Sequence, residues 1–114
     1  MGKVSQDSAN YMIRAELASN GVIEKSDVIG AIFGQTEGLL GEDLDLRELR
    51  NKGKVGRIEV ELDSSGGSTD ATVEITTSLD AADTSILAAS LETIEKVGPT
   101  QADFRIDEVV DVRS

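Results

Sequence analysis

The sequence predicts an α+β fold of the ferredoxin-like, split βαβ kind, βα(α)ββαβ, with a four-stranded antiparallel sheet and its helices on one face. Three observations predict it. Four segments alternate apolar and polar residues at the period of a strand. Two stretches with helical periodicity fall between the first and second and between the third and fourth of them. A Ser64-Ser65-Gly66-Gly67-Ser68 run joins the middle two as a hairpin.

Each element has its own signal. Residues 1–9 read as a flexible leader and 10–114 as one α+β domain. Tyr11, Ile13, Ala15 and Leu17 alternate with Met12, Arg14 and Glu16, a half-buried strand that ends near Asn20-Gly21. Ser26 is positioned as the N-cap of a helix from Asp27 to Gly38 or Leu40, with Val28, Ile29, Ile32, Phe33 and Leu39 or Leu40 as its buried stripe and Gly41 as its stop. Asp43 is placed to cap a short second helix, Leu44 to Arg50, that buries Leu46 and Leu49. Ile58, Val60 and Leu62 face inward on the next strand, and Val73 and Ile75 on its return. Asp80 or Ser78 opens a long helix expected to reach Val97, with Leu79, Ala82, Ile86, Leu87, Ser90, Ile94 and Val97 inside and Gly98-Pro99 as the stop. Ala102 to Ile106 forms the last strand, and the alternation blurs at Glu108-Val109-Val110, where it ends or bulges.

Composition narrows the chemistry. The chain has 114 residues, a single domain's length, with 22 acidic against 11 basic residues and a formal net charge of −11. A bulk basic footprint for nucleic acid is absent. With no Cys and no His, thiolate chemistry, disulfides, imidazole bases and ordinary zinc sites are excluded. No cofactor and no metal site is expected; a metal here would be a hard cation on carboxylates. The first ten residues lack the apolar core of a signal peptide and no apolar run approaches the roughly 18 residues of a membrane span, so the expectation is a cytoplasmic protein with no membrane partner.

Several residue groups are candidates for a function. The outer sheet face should carry Arg14, Glu16, Arg57, Glu59, Glu61, Thr72, Glu74, Thr76, Asp103, Arg105 and Asp107. It lacks the aromatics on which RNA-recognition modules of this topology stack bases, and reads as a solvated face with cross-strand ion pairs. On the first helix Gly30, Gly34 and Gly38 recur every four residues, flanked by Ala31 and Gln35. At about 100° per residue they span only about 80° of the helix, a face that lets a partner approach closely or packs against the chain itself. Arg47, Arg50, Lys52, Lys54 and Arg57 form a local run of cations among the 11 basic residues, either a phosphate-contacting patch or a solvated loop after a short helix. Glu42-Asp43-Leu44-Asp45 has the look of a metal-binding DxD, but it lies at a helix start, where Asp is expected as a cap. No catalytic residue is identified.

The run Val28-Ile29-Gly30-Ala31-Ile32-Phe33-Gly34-Gln35-Thr36-Glu37-Gly38-Leu39-Leu40-Gly41, followed by Asp43-Leu44-Asp45-Leu46-Arg47, resembles the N-terminal region of archaeal DnaG-type primases. Gly56-Arg57-Ile58-Glu59-Val60, Ser78-Leu79-Asp80, Ile86-Leu87-Ala88-Ala89, Leu91-Glu92-Thr93, Val97-Gly98-Pro99 and the Asp107–Arg113 stretch extend the resemblance over nearly the whole chain. It implies a bacterial-like primase whose downstream Toprim domain holds Mg²⁺ for nucleotidyl transfer on a DNA template. That domain is expected to lie outside this sequence, so this chain alone is expected to be no enzyme. The resemblance also implies a component of the archaeal RNA exosome that docks on a cap subunit and favours adenine-rich RNA. Gly30, Ala31, Gly34, Gln35, Gly38, Arg47, Arg50, Lys52, Lys54 and Arg57 are the residues here assigned to those contacts. Two other readings stay open: an accessory role in primer synthesis, and an unrelated ferredoxin-like module that binds a ligand or self-associates.

Overall fold

The computed structural model describes residues 10–38 and 46–112. The expected leader and the roles expected of Leu39, Leu40, Gly41, Asp43 and Leu44 lie outside them. The elements run β1 (Tyr11–Ser19), α1 (Lys25–Gln35), α2 (Leu46–Asn51), β2 (Val55–Ser65), β3 (Ser68–Thr77), α3 (Ala81–Leu91), β4 (Lys96–Val97) and β5 (Thr100–Asp111).

The strands form one antiparallel sheet in the order β2-β3-β1-β5-β4. Its first four members have the ferredoxin-like arrangement. β4, two residues long, adds a fifth strand to the expected four, pairing Lys96 with Gln101 and Val97 with Thr100. Period-2 alternation buries Ile13, Ala15 and Leu17 of β1, Val60 of β2 and Ala71, Val73 and Ile75 of β3. Val28 and Ile32 of α1, Leu46 and Leu49 of α2 and Leu87 and Leu91 of α3 close over that face. The core is aliphatic around Phe104. Its buried hydroxyls are paired: Thr77 with Thr84 at 3.1 Å, Ser19 with Thr100 at 2.7 Å, and Thr69 accepting the Ile23 N–H at 3.2 Å.

The structure corrects several element boundaries. The N-cap of α1 is Glu24, not Ser26; the Asp27 carboxylate accepts the Glu24 N–H at 2.9 Å, so the expected first-turn acid does the capping from inside the helix. α3 does begin after Asp80, whose carboxylate accepts the Asp83 N–H at 2.8 Å, but it ends at Leu91 rather than Val97. Thr93 and Ile94 donate backbone N–H groups three residues back, to Ser90 and Leu91, tightening the last turn. The Glu92 carboxylate accepts the Ile106 N–H at 2.9 Å and ties that end to β5. Gly98, at φ 59°, therefore turns a β4–β5 hairpin instead of stopping a helix. The stripe shifts with it: Thr84, Leu87, Ala88 and Leu91 are buried, whereas Ala82 and Ile86 face solvent. β5 runs on to Asp111, and the blurred alternation is a bulge, since Arg14 pairs with Glu108 but Ala15 with Ile106.

Candidate interaction surface

The glycine-bearing face of α1 points away from the core. The buried residues of the helix are Val28 and Ile32, with Thr36 beside them as its C-cap. Gly30 and Gly34 lie on the opposite side, both exposed, and a Cβ at either would meet nothing within 4 Å. Packing of this face against the chain itself is thus excluded among the described residues. Gly38 has equally open space, but it stands past the helix at φ 73°, where it serves the exit of the chain. Ala31 and Gln35 do different work from their glycine neighbours. Ala31 is half-buried against the core. Gln35 donates from Nε2 to the Thr93 hydroxyl at 2.5 Å, and its carbonyl accepts the Ser90 hydroxyl at 3.2 Å, fastening α1 to the end of α3.

The five cations close in sequence stand on different elements. Arg47, on α2, sets its guanidinium 4.9 Å from the ring centroid of Phe33, at the flank of the glycine face. Arg50 follows one turn later, exposed in the last turn of α2. The helix then ends in a Schellman motif, with Gly53 N–H to the Arg50 carbonyl at 3.0 Å and Lys54 N–H to the Leu49 carbonyl at 2.7 Å. Gly53, at φ 75°, makes that turn possible. The reversal carries Lys52 and Lys54 to a groove of about 580 Å³ that they share with Asp80 and Asp83 at the start of α3. Arg57 projects from β2 and pairs with Glu59 at 3.5 Å. Of the five, Arg47 is the one in contact with α1, through Phe33.

The outer sheet face is charged and net acidic, as expected. Arg14 bridges Glu74 on β3, at 3.2 Å, and Glu108 on β5, and Arg105 reaches Glu16 at 4.0 Å. Toward the β2–β3 hairpin the face forms a groove of about 530 Å³, where Glu16, Glu61, Asp63, Asp70 and Asp103 outnumber Arg105. The sequence places Glu16, Glu61, Asp103 and Arg105 on this face; Asp63 and Asp70 were missed, as was the convergence of the set. Among the described residues no three acidic side chains gather as a metal site, and the DxD-like acids lie outside those residues. Nor is any described helix long and apolar enough to cross a membrane.

No family model matches the chain. Curated relatives match it closely. It is 54% identical over 109 residues to the DNA primase DnaG of Haloarcula marismortui, covering 96% of this chain and 24% of that protein. It is 54% identical over 114 residues to the DNA primase DnaG of Nanoarchaeum equitans, covering 100% of this chain and 31% of that protein. For the Methanoregula boonei DNA primase DnaG the figures are 57% over 109 residues, 96% and 26%. Among solved structures the de novo designed protein Foldit4 superposes with a TM-score of 0.53 at 14% identity, over 91% of this chain and 99% of that one, a likeness of fold alone.

Proposed function

The chain is a homologue, over its whole length, of about a quarter of archaeal DNA primase DnaG, and we propose that it acts as a non-catalytic accessory domain of that protein. Its role is to dock on a cap subunit of the archaeal exosome and to hold adenine-rich RNA beside it. The observation that carries this reading is the open face of Gly30 and Gly34. Each interior glycine costs roughly 0.5–1 kcal/mol of helix stability relative to alanine and here packs against none of the described residues. Such a face admits the backbone of a partner, and Arg47 at its edge, with Arg50 one turn further along α2, supplies cations for phosphate or for acidic side chains. The net charge of −11 makes RNA binding local and salt-sensitive and suits a basic protein partner.

The test is a titration of isotope-labelled protein with the exosome cap protein and, separately, with short poly(A), following backbone amide shifts. The expected result is shifts confined to Gly30–Arg57 with the cap protein, and salt-sensitive shifts near Arg47 and Arg50 with poly(A). Gly34→Leu should abolish cap binding in a folded protein. Reversal of Arg47 and Arg50 to Glu should weaken the poly(A) contact. Silence with both ligands overturns the docking reading. It leaves an accessory role in primer synthesis, which the name shared by the relatives favours.

A further inference from the structure

β2 lies at one edge of the sheet, and among the described residues no strand pairs with its outer side. An unpaired edge exposes a row of backbone N–H and C=O groups that invites another strand. The pairing of β2 with β3 is irregular only between Val55 and Ile58; from Ile58 to Ser65 it is continuous. Neither lysine nor proline, two common guards of an edge, occurs in that stretch. Its two faces differ sharply. On the helix side Ile58 and Leu62 are half-buried around buried Val60, so the apolar layer stops short of covering the edge. On the outer side stand Glu59, Glu61 and Asp63, the last two lining the acidic groove.

We propose that the edge of β2 over Ile58–Asp63 takes an extended segment of a partner protein as an added strand, one in which apolar and basic residues alternate. Backbone hydrogen bonds supply the attachment and the alternating side chains the selectivity. Apolar side chains of the segment continue the layer of Ile58, Val60 and Leu62. Its lysines or arginines lie beside Glu59, Glu61 and Asp63, with Asp70 behind them in the groove. A second copy of this chain is the wrong occupant. The outward residues of Ile58–Asp63 are all acidic, so two such edges paired face to face set carboxylates opposite one another.

The experiment titrates labelled protein with a synthetic peptide of strictly alternating valine and lysine, and with a peptide of the same composition in two blocks. The expected result is amide shifts and slowed hydrogen exchange at Ile58–Asp63 with the alternating peptide, and at least tenfold weaker binding of the block peptide. Leu62→Lys and Glu61→Lys, each checked for an unchanged fold by its spectrum, should both weaken the alternating peptide at least tenfold. Gly34→Leu, in the helix layer, should leave it unchanged, which separates this edge from the α1 surface. Equal binding of the two peptides, shifts outside β2 only, or no binding overturns the proposal.

Discussion

Gly30 and Gly34 give the α1 face its character because no described residue stands within 4 Å of the Cβ that either lacks. Alanine at either position therefore meets no clash and gains helix propensity. Gly30→Ala and Gly34→Ala should each stabilise the fold by about 0.5–1 kcal/mol, read as a raised midpoint in chemical denaturation. A destabilised Gly34→Ala protein would show that the face is covered. The four-residue spacing of these glycines was plain in the sequence, but the separate task of Gln35 was not, since its partner Thr93 is 58 residues away and carries no local pattern. Thr84 is hidden for a different reason, as a polar residue with no place in a hydrophobic stripe, although its partner is only seven residues away. Its hydroxyl is fully buried and bonded to Thr77 at 3.1 Å. Thr84→Val keeps the shape and strands the Thr77 hydroxyl, so it should cost about 1–3 kcal/mol, and adding Thr77→Val should recover part of that loss.

At the scale of elements, the alternating strands and the first-turn acids were legible because both are local. The length of α3 was not. Leu79, Leu87, Ile94 and Val97 suggest one helix, yet Ile94 and Val97 are buried by a turn and a hairpin instead. What ends the helix is long-range: the Glu92 carboxylate accepts the Ile106 N–H beside the β5 bulge. Tertiary bonding here overrides periodicity. α2 shows the opposite case, where one residue governs an element. Gly53 holds φ 75° so that two backbone bonds close the helix and turn the chain into β2. A Cβ there meets no described atom within 4 Å, so the cost of alanine is conformational. Gly53→Ala should destabilise by about 1–2 kcal/mol and Gly53→Asn by distinctly less, because asparagine tolerates the left-handed region. Equal losses would mean that the turn relaxes to another conformation.

For the whole molecule, the charge balance and the sheet topology act together. The alternation in the sequence assigns acidic residues to one face, but strand order decides which of them become neighbours, and no local signal gives strand order. β3 between β2 and β1 brings Asp63 level with Asp70, and β5 on the far side of β1 brings Asp103 level with Ala18, into one groove with Glu16 and Glu61. Arg105 offsets a single carboxylate there, at 4.0 Å from Glu16. Repulsion within this groove adds to that of a chain carrying −11 overall, and both fall as the Debye length shrinks from about 30 Å at 0.01 M salt to about 3 Å at 1 M. The cross-strand pairs of Arg14, with Arg14 and Glu74 half-buried, are also screened, and pairs of this kind contribute about 0–1 kcal/mol each. The balance predicts a midpoint of thermal unfolding that rises with sodium chloride through this range. It also locates the effect: Asp63→Asn with Asp70→Asn should raise the low-salt midpoint and flatten its rise. A midpoint that falls with salt would show that the ion pairs of the sheet outweigh the repulsion around them.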